Sequence, residues 1–577
     1  MVKLRKDRAE GDGSMPRLTM PVGKSDFAKV RTAGDYYVDK TDLIRQIASS
    51  GAEVTLFTRP RRFGKSLNMS MLQHFFDIRE QSGALFEGLK IAENKELCDN
   101  WMNKFPTILI SFKTVEATNF NDAVAQLKIV LSDLFRSHSY LLDNEKADKY
   151  DRIKLERILS EEPQTSDMMD SLSLLSRLLY TNYNKPVVLL IDEYDVPLAK
   201  ADTFHYYDSM INIMRSIYNK ALKDNPYIKK AVLTGCLRIA EESIFTGLNN
   251  LAIKTIVDTD YDECFGFTNE EMNKLLEDTG LTPKQPVFKE WYDGYVFGNK
   301  EVYCPWDVLN YVDALQKNPN QPPMNYWANT SGNDVIKRFL ESDFDVSEEF
   351  ETLLGGGVVS KKINPNITYA DLVNSETNLW SVLYMTGYLT ILPGSLPKMT
   401  SNDPDEVKGM FEYDFRLILP NKEMKMLFEN TVAAWFKNKL LGEDRTELFN
   451  AIWSGDDNTI TDELCAFLGE SISFYDYHEL FYHAFLTGLL SGVKGVAVVS
   501  NREAGTGRAD LILQYPRKGL VAIFEFKCAD SEKEMNDKCD EALEQIEKRE
   551  YSFPFRRNTV YKYGVAFFQK QCLVKKA

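Results

Sequence analysis

Between Val54 and Arg238, short apolar runs alternate with long amphipathic stretches, and this alternation restricts the fold more than any other feature of the chain. VTLF precedes the helix-like LNMSMLQHFF, TILISF precedes a second helical stretch, VVLLID a third, and AVLTG closes the series. Each run is short and bounded, as strands buried on both faces are, so the segment is expected to form a parallel sheet covered by helices. With 577 residues the chain is too long for one growing core, which predicts further domains.

The connection after the first run carries the first chemistry. Val54 to Thr58 reads as a strand, RPRRFGKS as a loop, and a helix opens near Lys65. Phosphate binding needs this order, because successive backbone N–H groups and a helix N-terminus then face an anion. Arg62, Phe63, Gly64, Lys65, Ser66 and Leu67 are the candidate nucleotide-binding loop, with Lys65 near the outer phosphates and the Ser66 hydroxyl on Mg²⁺. The pattern GxxxxGK[ST] is incomplete, since Arg59 stands where its first glycine would fall. The run VVLLIDEYD ends in carboxylates, where Asp192 would serve the metal and Glu193 the attacking water. Acids in that position also serve as plain helix caps. After AVLTG, Thr234 could sense the outer phosphate and Arg238 could contact it or a neighbouring subunit, or both could be ordinary strand-end and surface residues.

A second constellation lies near the C-terminus. In GTGRADLIL, Gly505 and Gly507 permit a tight turn and Asp510 opens a strand; the next strand carries IFEFK. Side chains alternate along a strand, so Glu525 and Lys527 share one face while Phe524 and Phe526 take the other. An acid and a lysine inside so apolar a strand are costly to bury without purpose. Phosphodiester hydrolysis supplies one: Asp510 and Glu525 could hold one or two Mg²⁺ ions and Lys527 could orient water or stabilise the pentavalent state. A buried Asp beside a Glu–Lys ion pair is the alternative. Glu479 on the preceding helix could add a metal ligand or make a surface salt bridge. Gln545 on the following helix could touch the scissile phosphate, with Tyr551 just beyond, or be a plain helix residue. Arg508 is a candidate phosphate contact or an ordinary surface residue.

Composition sets the remaining limits. At 44% hydrophobic and 27% charged residues the chain is globular, and its eight scattered cysteines, without a CxxC pair, fit a reducing cytoplasm. The histidines (His74, His138, His205, His478 and His483) lack zinc-site spacing, so a catalytic metal would be carboxylate-held. No apolar run is long enough for a membrane span, and Met1 to Ser25 lacks the apolar core of a secretory signal. A net charge of −16 opposes a chain coated in nucleic acid, yet a local basic groove stays open. The stretch from Lys548 to Lys576, with Arg549, Arg556, Arg557, Lys562 and Lys570, reads equally as such a path or as a solvated face.

The expected organisation is a basic mobile tail over 1–19, the phosphate-loop domain over 20–260, a helical lid or connector over 261–405, and a last domain over 406–577 entered through SNDPDEV. Its final hundred residues give the order α-β-β-β-α-β.

These pieces taken together are specific. YYVDKTDLI, RPRRFGKSL, LLIDEYDVPL, LTGCLRIAEESIFTGLNNL, FYHAFLTGLL, GRADLIL and FEFK resemble a bacterial family in which an AAA-ATPase-like domain is fused to a PD-(D/E)XK nuclease-superfamily domain. The resemblance covers most of the chain. It implies an N-terminal P-loop NTPase-type α/β domain, a restriction-endonuclease-like αβββαβ domain at the C-terminus, and ATP and Mg²⁺ as ligands. The family's Asp, Glu and Lys carry over onto Asp510, Glu525 and Lys527, its loop Lys and Ser onto Lys65 and Ser66, and Arg59 belongs to its own loop pattern. It also places the VDKT segment, with Asp39 and Lys40, over the nucleotide; turn chemistry explains the same cluster. The leading expectation is a nuclease acting on nucleic acid, DNA before RNA, and gated by ATP. The alternatives are an ATP-driven switch whose C-terminal domain binds without cutting, and a non-enzymatic interaction protein. A homo-oligomer is left open.

Overall fold

The computed structural model describes residues 17–237, 250–327, 347–364, 367, 375–396, 414–439, 444–471, 479–491, 493, 495–504 and 507–577. The expected tail up to residue 16, Arg238 and the SNDPDEV linker lie outside the described residues, as do the side chains of Glu479 and Arg508. The chain divides into two units, Met1–Ser331 with Ser360–Glu423, and Gly332–Val359 with Met424–Ala577. Among the described residues no helix is long and apolar enough to cross a membrane.

The first unit is built on the expected parallel sheet. Strands β1 (Val54–Thr58), β2 (Thr107–Ser111), β3 (Val187–Asp192), β4 (Ile228–Gly235) and β5 (Leu251–Lys254) lie in the order β2-β3-β4-β1-β5, every neighbouring pair parallel. All of β1 and β3 is buried, which is why these strands read as continuous apolar runs rather than alternating ones. Helix α1 (Lys65–Phe76) buries Met69, Met71, Leu72, Phe75 and Phe76, and helices α2 (Phe120–Arg136), α3 (Thr165–Tyr183) and α4 (Tyr207–Leu222) supply the opposing apolar surface. Helix α3 starts with a reciprocal cap between Gln164 and Asp167 and stops at Asn184, whose φ of 50° is left-handed.

The region expected to be helical carries helices, but small sheets separate them. Strands β6 (Phe267–Thr268), β7 (Tyr295–Phe297) and β8 (Lys300–Tyr303) pair in the order β6-β8-β7, β6 leading into helix α5 (Asn269–Thr279) and β8 into helix α6 (Pro305–Lys317). A second sheet joins β9 (Val359–Lys362), β10 (Thr390–Ile391) and β11 (Asp414–Ile418) in the order β10-β11-β9. The segment Leu18 to Val22 packs against the aromatic core around Phe288, Tyr292 and Tyr311.

The second unit carries helices α7 (Thr446–Ser454), α8 (Asp457–Ser471), α9 (Glu479–Leu490) and α10 (Met535–Lys548) with one mixed sheet. Its strands β12 (Ala497–Ala504), β13 (Gly507–Tyr515), β14 (Leu520–Cys528), β15 (Thr559–Phe568) and β16 (Gln571–Lys576) lie in sequence order. Only β14 and β15 are parallel, and α10 makes the crossover that a parallel pair requires. The order α-β-β-β-α-β is present from α9 onward, followed by one strand more than expected, β16. Tyr482 anchors α9 to the sheet, its ring stacked 4.2 Å from Phe567 and its hydroxyl donating to the Gln569 carbonyl at 2.6 Å.

Candidate nucleotide and phosphodiester sites

In the first unit the candidate residues converge at the C-terminal ends of β1, β3 and β4, where parallel sheets place ligands. Gly64, with φ of 81°, turns the loop into α1, a conformation that costs glycine nothing. Lys65 is buried; its ammonium donates to the carbonyls of Arg59 at 3.1 Å and Pro60 at 2.9 Å. Burial opposes the Lys65 charge, but Cys236, Glu193, Asp195 and Asp192 together outweigh it and hold the pKa above its ordinary value. The Ser66 hydroxyl donates to one oxygen of Asp192 at 2.7 Å, and the Thr234 hydroxyl donates to the other at 2.6 Å. Asp192, Ser66 and Thr234 thus form one hydroxyl–carboxylate set beside a lysine, the donor chemistry of a nucleotide-bound Mg²⁺. Glu193 sits next to it in a left-handed conformation, φ 54°. Burial raises its pKa and the Lys65 charge works against that rise.

The side chains of Arg59, Arg62, Phe63 and Leu67 turn away from the phosphate cradle, whereas the charge of Arg61 acts on Glu193 and Cys236 within it. Arg59, fully buried, donates to the carbonyls of Thr58 and Lys254 at 2.9 Å and lies 5.0 Å over the Phe265 ring. Burial lowers its pKa to about 10. The residue in place of the missing glycine therefore ties β1 to β5. Phe63 packs edge-on against Tyr295 at 5.0 Å, and Leu67 lines an apolar slot with Tyr36, Val38 and Phe267. Arg62 donates to the Tyr326 carbonyl at 3.0 Å, its guanidinium 5.6 Å from the Trp306 ring and 5.5 Å from that of Trp327. What Arg62 and Phe63 offer a phosphate is accordingly their main chain. Close to Arg62, two fully buried carboxyl groups face each other: Asp307, and Glu423, whose Oε1 accepts from the Trp327 N–H at 2.8 Å. Burial, then the charge of Asp307, pushes Glu423 well above the ordinary carboxylate range, so the pair keeps a proton.

Asp195 is a residue the sequence reading passed over. It accepts from the backbone N–H groups of Cys236 and Leu237 at 2.9 and 3.1 Å, fixing the chain just past Thr234. Gly235 permits this contact, since a Cβ there would lie 2.5 Å from Tyr194 Cε1 and 2.7 Å from Asp195 Oδ1. The third acid of IDEYD was its visible signal. Asp39 accepts from Thr41 N–H at 2.9 Å and Lys90 N–H at 2.7 Å, while Lys40 donates to Glu271 at 2.5 Å. Both are thus committed to turn and core contacts.

In the second unit Asp510, Glu525 and Lys527 share the face of β13 and β14 that α10 covers. Gly564, directly opposite Glu525 in register, lets that helix come close: a Cβ there would lie 2.3 Å from the Cys539 carbonyl oxygen. Gln545 on α10 donates to Glu525 Oε1 and accepts from the Lys527 ammonium at 2.9 Å, and Lys527 lies 3.7 Å from Glu525. Glu525 Oε2 is buried and hydrogen-bonds to no described residue. One Asp510 oxygen accepts from the Phe526 N–H at 2.8 Å. Burial raises the pKa of Asp510; burial and then the charge of Asp510 push Glu525 up to about 7. Two carboxylates that resist ionisation together, one with an unsatisfied oxygen, fit a divalent cation that would neutralise both. Among the described residues no cluster of three or more acid, histidine or cysteine ligands is present.

The sequence reading gave His483 no role here. Its Nε2 lies 3.0 Å from both the Asp510 carbonyl and the Ser500 hydroxyl. The carbonyl can only accept, so Nε2 carries a hydrogen and fixes the strand at Asp510. Tyr551, whose hydroxyl lies 3.4 Å from Gln545 Nε2, was noticed only as the neighbour of that helix.

Comparisons with known proteins agree with both halves. Residues 21–245 match the family model described as a predicted AAA-ATPase, and residues 477–577 match that of the PD-(D/E)XK nuclease superfamily. The chain is also 24% identical over 570 residues to a protein of Azotobacter chroococcum mcd 1 described as an "Uncharacterized protein in vnfD 5'region", covering 96% of this chain and 97% of that one.

Proposed function

We propose that this fusion of an AAA-ATPase-like domain with a PD-(D/E)XK nuclease-superfamily domain is an ATP-binding, ATP-hydrolysing protein that cuts nucleic acid, DNA foremost, with Mg²⁺. One observation carries the reading: Asp510, Glu525 and Lys527 converge on one sheet face, and a single glutamine joins the acid to the lysine. A structural ion pair would need neither the neighbouring Asp510 nor the unsatisfied Glu525 oxygen.

In this reading Asp510 and Glu525 hold the cation, with Glu479 as a further ligand from α9. When bound, the cation supplies water activation and charge neutralisation at the phosphate. Gln545 keeps Lys527 aimed past Glu525, so that the ammonium meets charge developing on the phosphate oxygens. His483 holds the Asp510 backbone and Tyr551 supports Gln545. In the first unit the loop N–H groups from Arg62 to Leu67 and the Lys65 ammonium bind the phosphates of ATP, with Arg238 as a further contact. Ser66 and Asp192 hold its Mg²⁺, Glu193 activates water, and Thr234 reports the outer phosphate through Asp192.

Purified protein is incubated with labelled single-stranded DNA, duplex DNA and RNA, with and without Mg²⁺ and ATP, beside Lys527→Ala and Lys65→Ala. Metal-dependent cleavage lost in Lys527→Ala supports the nuclease, and a changed ATP response in Lys65→Ala supports the gating. No cleavage of any substrate, with ATP still bound, refutes the nuclease and favours an ATP-driven switch.

A further inference from the structure

The turn that leaves the Gln545 helix ends in an aromatic ring held in water. Glu550, at a left-handed φ of 53°, reverses the chain after α10. Tyr551 returns to the site and is buried, while Phe553, two residues on, is 50% exposed. Among the described residues it is the large hydrophobic side chain of the second unit that is this exposed; the others of its kind belong to the first. The turn is stiff: Phe553 N–H donates to the Glu550 carbonyl, Phe555 to Ser552 and Asn558 to Phe555, with Pro554 inside the short 3-10 helix. The ring is therefore presented at little further cost in conformational entropy.

Charge marks the same turn. The Arg556 guanidinium lies 3.5 Å from the Phe553 ring centroid, and Arg556 and Arg557 are both exposed. Neither pairs with a carboxylate among the described residues, so two adjacent cations stand beside the exposed ring. In a chain of net charge −16, what distinguishes these two arginines is their place beside the exposed Phe553 ring, where cation and aromatic face are offered together.

We propose that Phe553, Arg556 and Arg557 form a platform for an unpaired nucleic-acid strand, one base stacking on the Phe553 ring and the adjoining phosphates meeting the two arginines. A duplex hides its base faces, so an exposed ring selects a single strand. Phe553 follows Tyr551 by two residues, and the Tyr551 hydroxyl lies 3.4 Å from Gln545 Nε2, so the platform stands on the turn that leaves the proposed cutting site. The inference rests on the nucleic-acid part of the proposed function and narrows its substrate to single-stranded or locally unpaired chains.

The test measures binding of fluorescein-labelled oligo(dT), its uridine counterpart and a duplex to the full chain in EDTA, where nothing is cut. Phe553→Ala is expected to weaken single-strand binding roughly fivefold or more and to leave duplex binding unchanged, while Phe553→Tyr stays near wild type. The pair Arg556→Ala with Arg557→Ala is expected to flatten the dependence of log affinity on log salt by about 1.4, two phosphate contacts' worth on a single strand. The DNA and RNA arms decide which strand the platform prefers. Unchanged single-strand affinity in a folded Phe553→Ala protein overturns the proposal, as does equal weakening for duplex. Cleavage is scored separately in Mg²⁺: a chain that binds through Phe553 and cuts nothing refutes the nuclease and keeps the platform.

Discussion

Replacing Glu423 by glutamine tests whether the buried Asp307–Glu423 pair holds a proton. Both carboxyl groups are fully buried, and Glu423 sits well above its ordinary value of 4.5, through burial first and the Asp307 charge second. The native pair thus keeps a proton that the unfolded carboxylates have lost. Wild-type stability from this source is complete below the ordinary carboxylate range and drains away as pH rises towards the raised native value. The slope is about 1.4 kcal/mol per pH unit for one proton, or about 2.7 kcal/mol between pH 6 and pH 8. In Glu423→Gln the amide oxygen still accepts from the Trp327 N–H, and the amide N–H donates to Asp307 at every pH. The variant should gain about 2.7 kcal/mol on wild type over that interval. Urea unfolding followed by tryptophan emission, which includes Trp306 and Trp327 beside the pair, measures the difference at both pH values. An equal pH dependence in variant and wild type would refute the shared proton.

The remaining predictions concern the two sites. Asp192→Asn, which keeps the shape but removes the charge facing Ser66 and Thr234, should lower affinity for Mg²⁺–ATP roughly tenfold or more while barely changing metal-free ATP binding, as titration calorimetry can show. Gly235→Ala drives a methyl into Tyr194 and Asp195 and should cost about 1–3 kcal/mol in urea unfolding. Gln545→Ala, which removes the amide that joins Lys527 to Glu525 and aims the ammonium past it, should cost roughly 10- to 100-fold in cleavage rate or metal affinity without loss of the folded state by circular dichroism.

Much of this arrangement was legible because period and burial coincide in it. Strands β1 and β3 are buried throughout and cannot be confused with the helices between them, so Asp192 and Thr234 fell at strand ends and Lys65 and Ser66 at the opening of the helix after β1 from the sequence alone. Glu525 and Lys527 were legible for a different reason: charge in an apolar strand is rare enough to demand an explanation. Strands β6, β7 and β8 have two to four residues, too few for an alternating pattern to outweigh the helical spacing around them. Strand β16 was hidden in a lysine-rich end whose inward residues are only Cys572 and Val574. Asp195 and His483 were missed because each acts on backbone groups, Asp195 on N–H and His483 on a carbonyl, brought close only by the tertiary fold. The inward turn of Arg59 was equally invisible, since a buried arginine satisfied by carbonyls looks in sequence like any basic loop residue.

The crossover from β14 to β15 has a consequence for the order in which the molecule becomes competent. Asp510, Glu525 and Lys527 lie on a hairpin of adjacent antiparallel strands, a local pairing that closes quickly. Gln545 arrives only when the chain has run through α10 and β15 has docked beside β14, the least local pairing in that sheet. A chain still emerging from the ribosome would therefore hold the acids and the lysine before it holds the glutamine that joins them, and the site would be complete only once α10 has packed on the sheet.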